Sequence, residues 1–261
     1  MKIKKSYVAG MFYPNDSKDI TKMIEYFNSI PSHDINCPNL QAMIVPHAGY
    51  IYSGFSANLA IKKLQHRDIK TVIVIGPSHK VYFEGISIAD YDKYETPFGD
   101  LTIDTRLVDR LQREFNLPFY KEAHQEHSTE VQMPFVKYYL PNVKVVELVY
   151  SHIEASVLSK IMEFCFNDTT IGLISSDLSH FYDINKAKEL DSICLKAIDL
   201  LDEELLHQGC EACGKLGIEA LLLYAKKRGL VSHILDYRTS ADITKDKREV
   251  VGYTSAIFCK E

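Results

Sequence analysis

The sequence lacks the features that mark several classes of protein. It has no Pro- or Gly-rich linker and no long run of one charge, and its 30 basic against 35 acidic residues give a formal net charge of -5. No apolar run approaches the roughly 20 residues needed to span a bilayer, and the basic start MKIKK is not followed by the apolar part of a signal peptide. Nucleic-acid and membrane surfaces are therefore not indicated. We expect one soluble, cytoplasmic domain over residues 1–261.

Cysteine is also scarce. Six cysteines in 261 residues do not make a dense disulfide framework, so we expect most of them to be free thiols in the core. Cys210 and Cys213 are the exception, because their C-x-x-C spacing leaves open a disulfide between them.

Apolar periodicity predicts helices and strands in alternation. Helical patterns cover 16–30, 55–64, 105–115, 129–139, 154–165, 184–207 and 213–227, and strand patterns cover 42–46, 71–76, 144–150, 170–175, 231–237 and 250–258. Residues 93–104 read as a hairpin-like excursion with Pro97 and Gly99 as turn residues. This alternation predicts an α/β fold with a mixed, mostly parallel central sheet and helices on both faces.

Three of the predicted strands end in histidines. MIVPH ends at His47, VIVIGPSH ends at His79, and IGLISSDLSH supplies Asp177 and His180. One histidine after a strand is more often structural than functional. Carboxyl ends of parallel strands meet at one edge of the sheet, however, so three such endings favour a shared site. Imidazoles with a carboxylate are usual ligands of zinc, iron or copper.

The residues around His47 carry a further prediction. Pro46 fixes φ where the chain leaves the strand, and Gly49 tolerates positive φ and lets the backbone pass close to the site. Tyr50 and Tyr52 are then expected to line the same cleft.

Cys213 stands at the start of the helical segment CGKLGIEALLLYAKK. Amides at a helix N-terminus favour a thiolate, so this is the cysteine expected to be most acidic and most able to bind metal. A buried structural thiol is the alternative.

The last polar cluster is AHQEHSTEVQMPF. His127 and Glu130 are three residues apart and would share a helix face, as would His124 and His127. We interpret His127 as an acid/base group or as a residue that orients metal ligands, and Glu130 as part of the cleft lining. Glu126 and its neighbours are alternatively the cap of the helix that follows.

These motifs together resemble one known family. VAGMFYPND, VPHAGYIYSG, VIGPSH, EHSTEVQMPF, SSDLSH, CGKLGI and TSADITKDKREVVGYTSAIF occur in the order and spacing of the Memo family. That family includes the Memo proteins of eukaryotes and the AmmeMemoRadiSam system protein B of archaea and bacteria. It is similar in fold to class III extradiol ring-cleaving dioxygenases, which bind non-haem iron(II) with two histidines and one glutamate.

The resemblance implies a ligand set. His47 and His79 stand where the two histidine ligands stand, Cys213 stands where the carboxylate would be, and Asp177 and His180 match the remaining site residues. A thiolate is softer than a carboxylate, so we expect one copper(I) or iron(II) ion, with zinc as a further option, and we do not expect ring cleavage.

Two hypotheses from different classes follow. In the first, the chain is a metal-dependent redox protein of unknown substrate that binds metal through His47, His79 and Cys213, and His180, Asp177 and His127 move protons or orient ligands. In the second, the cleft binds a small molecule or a peptide without catalysis. The resemblance also implies radical SAM and AMMECR-type protein partners. Ser/His/Asp hydrolysis is a weaker alternative, since the sequence has no G-x-S-x-G motif.

Overall fold

The structure is a computed structural model that describes residues 1–260. Glu261, the last residue of the expected domain, lies outside the described residues. The strands are β1 Ile3–Lys4, β2 Asn39–Val45, β3 Thr71–Pro77, β4 Ile86–Ile88, β5 Lys93–Tyr94, β6 Leu101–Ile103, β7 Lys144–Tyr150, β8 Thr170–Ser175, β9 His180–Tyr182, β10 Leu230–Thr239 and β11 Val250–Lys260. The helices are α1 Ser17–Ser29, α2 Tyr50–Ile61, α3 Thr105–Phe115, α4 His127–Glu130, α5 Met133–Tyr139, α6 Ala155–Cys165, α7 Ile184–Leu200, α8 Glu203–Leu206, α9 Lys215–Arg228 and α10 Ala241–Thr244, with 3-10 turns at Lys62–Leu64 and Lys121–His124.

The strands form one mixed sheet in the order β1-β5-β6-β7-β3-β8-β2-β11-β10, with β4 paired to β7 and β9 paired to β11. The centre is parallel, because β7, β3, β8 and β2 pair in parallel registers. Towards one edge, β11 and β10 continue the sheet in antiparallel registers. This confirms the predicted single-domain α/β fold with a mixed, mostly parallel sheet.

Burial explains why the central strands lack polar alternation. Every residue of β3 and of β8 is buried, as expected for parallel strands covered on both faces. Among the helices, α2 contacts α1 and α5, and α6 contacts α3 and α9. No helix within residues 1–260 is long and apolar enough to cross a bilayer.

Two predicted helices are each divided in two. The pattern at 129–139 is broken between α4 and α5, where Pro134 lies at the start of α5 and cannot donate a backbone hydrogen bond to continue α4. The pattern at 184–207 is broken at Leu201, which adopts the left-handed conformation with φ 52° and ends α7. The other long elements lie within a few residues of their predicted positions, with α2 beginning earlier than predicted, at Tyr50.

Candidate metal centre

The carboxyl ends of three neighbouring parallel strands carry the residues that the strand endings predicted. His47 follows β2, His79 follows β3 and Asp177 follows β8. Because β8 lies between β3 and β2, these ends meet at one edge of the sheet. The ring centres of His47 and His79 are 5.2 Å apart.

A third histidine reaches the same place from a short helix. His127 begins α4, and its ring centre lies 5.3 Å from that of His47 and 4.6 Å from that of His79. The helix packs closely on β3 at Gly76, where a Cβ atom would lie 2.6 Å from Ser128 Oγ. Only glycine leaves room for this approach.

These three histidines can hold a metal ion. Among the described residues, one ring nitrogen from each of His47, His79 and His127 lies within 4.8 Å of the other two. Imidazole nitrogens on one tetrahedral ion are separated by about 3.3 to 3.4 Å, given metal–nitrogen bonds of about 2.0 to 2.1 Å. Modest rotations of the side chains therefore suffice to bring the three nitrogens to one ion.

Glu126 holds two of the three rings. Its Oε1 lies 3.1 Å from Nδ1 of His79 and 2.8 Å from Nδ1 of His127. Its Oε2 accepts a hydrogen bond of 2.7 Å from the backbone N–H of His79. Burial opposes ionisation of this carboxyl, but the contacts with His127 and His79 outweigh burial and lower its pKa. With Nδ1 engaged, each ring keeps Nε2 for a metal.

His47 is held by a neutral partner instead. Its Nδ1 lies 3.0 Å from Ser175 Oγ, and Gln132 Nε2 donates both to that oxygen at 3.0 Å and to the Pro46 carbonyl at 2.8 Å. Burial, together with the charges of His79 and His127, lowers the pKa of His47 well below its ordinary value. The ring is therefore neutral at physiological pH, as metal ligation requires.

Cys213 adds a sulfur next to His47. Its Sγ lies 3.2 Å from His47 Nε2 and accepts a hydrogen bond of 3.3 Å from the backbone N–H of Asp177. The residue lies just before Gly214, which caps α9. A Cβ atom at Gly214 would lie 2.6 Å from Ser176 Cβ, so glycine lets this loop pack against the end of β8.

The thiol of Cys213 is not acidic in the metal-free protein. Burial and the Asp177 carboxylate raise its pKa to about 12. The expectation of an acidic thiol is not met, because desolvation outweighs the amides at the start of α9. Coordination to a metal would still deprotonate it.

Asp177 contacts His47 directly, whereas His180 affects the centre through its charge. Asp177 Oδ1 accepts a hydrogen bond of 2.7 Å from the backbone N–H of His47, and burial raises the pKa of this carboxyl. His180 opens β9 and is half-buried. Its positive charge, when present, lowers the pKa of both His47 and Asp177.

The residues predicted to line the cleft occupy three separate environments. Tyr50 is buried, and its hydroxyl donates to the Val131 carbonyl at 2.7 Å. Tyr52, in the first turn of α2, is 38% exposed. Glu130 is fully buried, and its carboxylate contacts Lys4 and neighbouring residues near the N-terminus rather than the histidines. His124 turns away as well, with its ring between Glu147 and Ser87.

Gly49 does not have the conformation that the sequence predicted. Its φ is -56°, so the expectation of positive φ is wrong. A Cβ atom there would lie at an ordinary 3.5 Å from the Phe12 carbonyl. The residue instead precedes α2, which begins three residues after His47.

The structure pairs four of the six cysteines. Disulfides join Cys37 to Cys259 and Cys194 to Cys210. The expectation that most cysteines are free thiols is wrong, since β11 brings Cys259 to the loop before β2 and α7 brings Cys194 to the loop after α8. Cys210 is bonded to Cys194 rather than to Cys213, whose thiol is free.

Three polar residues of the centre were not assigned their roles from the sequence. Glu126 was predicted only as part of a helix cap, which it also is, since it accepts from the backbone N–H of His127 and Ser128. Ser175 ends a predicted strand and Gln132 lies in a predicted helix, so neither had a signal of its own. The position of Glu126 directly before His127 is the one local hint.

Comparison with known proteins decides the family. A family model described as Memo-like protein matches residues 4–257. The chain belongs to the Memo family. A MEMO1 family protein of Thermoplasma acidophilum is 33% identical over 264 residues, covering 97% of this chain and 98% of that protein. One of Aquifex aeolicus is 31% identical over 273 residues, with 99% and 100% coverage, and one of Methanococcus maripaludis is 33% identical over 282 residues, with 96% and 98% coverage. The matched range spans the positions of the three histidines and of Cys213.

Proposed function

We propose that this Memo-family chain is a metal-dependent redox protein that binds one copper(I) or iron(II) ion. His47, His79 and His127 bind the ion through Nε2, and Cys213 is a further ligand. The observation that carries the proposal is the convergence of three ring nitrogens within 4.8 Å of one another while Nδ1 of each ring has a polar partner.

The donor set favours copper(I) over the metals of oxygen-ligand sites. Imidazole nitrogen suits copper, iron and zinc, and a thiolate shifts the preference towards copper(I) and zinc. Neither nearby carboxylate is free to complete a two-histidine, one-carboxylate set, because Glu126 contacts two Nδ1 atoms and Asp177 holds the His47 backbone. This supports a site unlike that of the ring-cleaving dioxygenases.

The protein's own groups prepare the centre for its ion. A bound copper or iron ion would supply one-electron transfer. Glu126 orients two imidazoles, through a hydrogen bond with Nδ1 of His79 and a 2.8 Å contact with Nδ1 of His127, and its negative charge makes both rings more basic ligands. Cys213 would lose its proton to solvent on ligation, because the nearest ring nitrogen, His47 Nε2 at 3.2 Å, would itself bind the ion. We assign proton exchange between the centre and solvent to His180, because it is half-buried and its charge acts on Asp177.

A non-catalytic binding module is the second candidate. Ile51 is 63% exposed next to Tyr52, so the first turn of the helix after His47 presents an apolar surface. That surface suits a small apolar molecule or a peptide docked over the centre. The radical SAM and AMMECR-type partners stay predictions from the resemblance.

Metal analysis of protein purified without oxygen and under reducing conditions tests the proposal. We expect about one copper or iron ion per chain after loading, and a copper signal that cycles reversibly between the one-electron states on oxidation and reduction. His79→Ala should lose the ion. His207→Ala, which changes an exposed histidine in the turn after α8, should keep it. Wild-type protein that retains no metal after loading would contradict the proposal and favour the binding module.

A further inference from the structure

The Glu130 carboxylate contacts several residues of the N-terminal segment. Lys4 and Glu130 form an ion pair of 3.0 Å, with side-chain exposures of 4% and 0%. Glu130 Oε1 also accepts hydrogen bonds of 2.7 Å from the backbone N–H of Tyr7 and of Val8, and one of 3.0 Å from the Tyr13 hydroxyl. Charges are rarely buried this completely unless they are paired. We call residues 4–13 the N-terminal clamp.

The clamp contacts the helix that supplies His127. Glu130 is the last residue of α4, and His127 is the first. From the clamp, the ring of Phe12 packs 4.7 Å from the ring of His127, centre to centre. The clamp therefore fixes this helix at its far end and covers the histidine at its near end.

The clamp also contacts the two segments that supply the other histidines. Lys80, the neighbour of His79, places Nζ 4.1 Å from the centre of the Tyr7 ring. Beyond His47, the backbone N–H of Tyr50 donates to the Phe12 carbonyl at 2.8 Å. One stretch of chain thus touches all three histidine-bearing segments.

A four-residue helix cannot hold its own position. A single turn is unstable without tertiary contacts, because too few hydrogen bonds offset the cost of ordering it. The direction of α4 is set by its anchors, which are Glu126 at the start and Glu130 at the end. Thr129 adds a hydrogen bond to Glu147.

We propose that Lys4 and Glu130 are positioning residues of the metal centre, which hold α4 so that His127 faces His47 and His79. This rests on the proposed metal binding by the three histidines. Loss of the ion pair should turn His127 away from the other rings without removing any ligand.

The test compares Glu130→Gln and the double variant Lys4→Met/Glu130→Gln with wild type. The single variant leaves a buried lysine without its partner and should be less stable. The double variant removes both charges and should recover stability. Lys5→Met is the control, because it breaks an exposed ion pair of the same segment, 2.7 Å from Glu95. Zinc(II) is the probe, titrated against a chromophoric chelator, and ring-to-ring nuclear Overhauser contacts are recorded in metal-free protein.

We expect both Glu130 variants to bind zinc about tenfold more weakly, and Lys5→Met to stay within about twofold of wild type. The contacts between the His127 and His79 rings should weaken in both Glu130 variants. If the ion pair served only stability, the zinc affinity of the double variant would recover together with its stability. Wild-type zinc affinity in the double variant would therefore overturn the inference, and so would unchanged ring contacts. If wild-type protein binds no zinc, the proposed metal site fails, and the ring contacts still decide whether the clamp positions His127.

Discussion

At the scale of single residues, the three histidines differ in what holds them. His79 and His127 share the Glu126 carboxylate, and His47 contacts the neutral Ser175 hydroxyl. A carboxylate partner makes an imidazole a stronger donor, whereas burial keeps His47 neutral. His47 is also the ring that contacts the Cys213 sulfur.

Replacing the sulfur should change metal preference more than stability. We expect Cys213→Ser to weaken copper(I) binding by about tenfold or more, because a hydroxyl is a much poorer ligand for this soft ion. The free energy of unfolding should change by no more than about 1 kcal/mol. Competition with a copper(I) chelator under reducing conditions measures the affinity. Cys165→Ser, at the other free cysteine, is the control. Equal affinities for wild type and Cys213→Ser would exclude the sulfur as a ligand.

Burial of His47 predicts a pH dependence of stability in metal-free protein. Its pKa is lowered in the fold, so below the ordinary value of 6.5 the unfolded chain binds a proton that the native chain does not. Stability therefore falls as pH falls below this value, by up to about 1.4 kcal/mol per pH unit for this group. Urea unfolding at several pH values between 7 and 5 gives the free energy of unfolding as a function of pH. This free energy should change less steeply with pH in His47→Gln than in wild type. The raised pKa of Asp177 acts with the opposite sign in both proteins, so it cancels in the comparison. Identical slopes would mean that His47 titrates normally in the fold.

At the scale of elements, Glu126 ties the end of β3 to the start of α4. It accepts from the backbone N–H of His79 and from the backbone N–H of His127, and it contacts both rings. The carboxylate therefore links the loop after β3 to the helix and fixes the spacing between His79 and His127.

Neutralising this carboxylate should loosen both rings at once. We expect Glu126→Gln to reduce metal affinity by about 10 to 100-fold, the usual effect of losing a group that orients metal ligands. Glu122→Gln, an exposed change in the preceding 3-10 turn, should have no such effect. Isothermal titration with zinc measures both variants. An affinity unchanged in Glu126→Gln would show that the histidines orient themselves.

The close approach of α4 to β3 makes a second prediction at this scale. Gly76→Ala should cost about 1 to 3 kcal/mol of unfolding free energy, because the new methyl group overlaps Ser128 and Thr129. Gly49→Ala is the matched control, since its Cβ atom meets only ordinary contacts and its φ is -56°. It should change stability by no more than about 0.5 kcal/mol. Chemical denaturation measures the free energy of unfolding of both variants. Equal losses in Gly76→Ala and Gly49→Ala would contradict the packing argument.

Much of this arrangement was predictable from the sequence. The long strands and helices were predicted because apolar periodicity is local, and the strand endings placed His47, His79 and Asp177 at one edge. The strands β1, β4 and β9 have two or three residues each, too few for any periodicity. The bridge from Glu126 to His79 joins residues 47 apart in the chain, so no local pattern encodes it. The disulfide partners of Cys37 and Cys194 likewise depend on which elements the fold brings together.

At the scale of the whole molecule, sheet order and the N-terminal clamp together build the centre. The order β3-β8-β2 brings three strand ends side by side. The clamp runs from β1, at the edge of the sheet, to the rings of the centre. The site thus depends on segments from the N-terminus to α9, and a bound ion should stabilise the whole fold, by about 2.7 kcal/mol at a free concentration 100 times its Kd.

X-ray absorption spectroscopy of the copper(I)-loaded protein tests the central claim most directly. The account predicts nitrogen scatterers from imidazole at about 2.0 Å and one sulfur at about 2.3 Å. The sulfur should disappear in Cys213→Ser, and imidazole scattering should diminish in His127→Ala. A shell made of oxygen scatterers alone would contradict a metal centre built from these residues. So would a scattering shell that stays the same in Cys213→Ser and in His127→Ala.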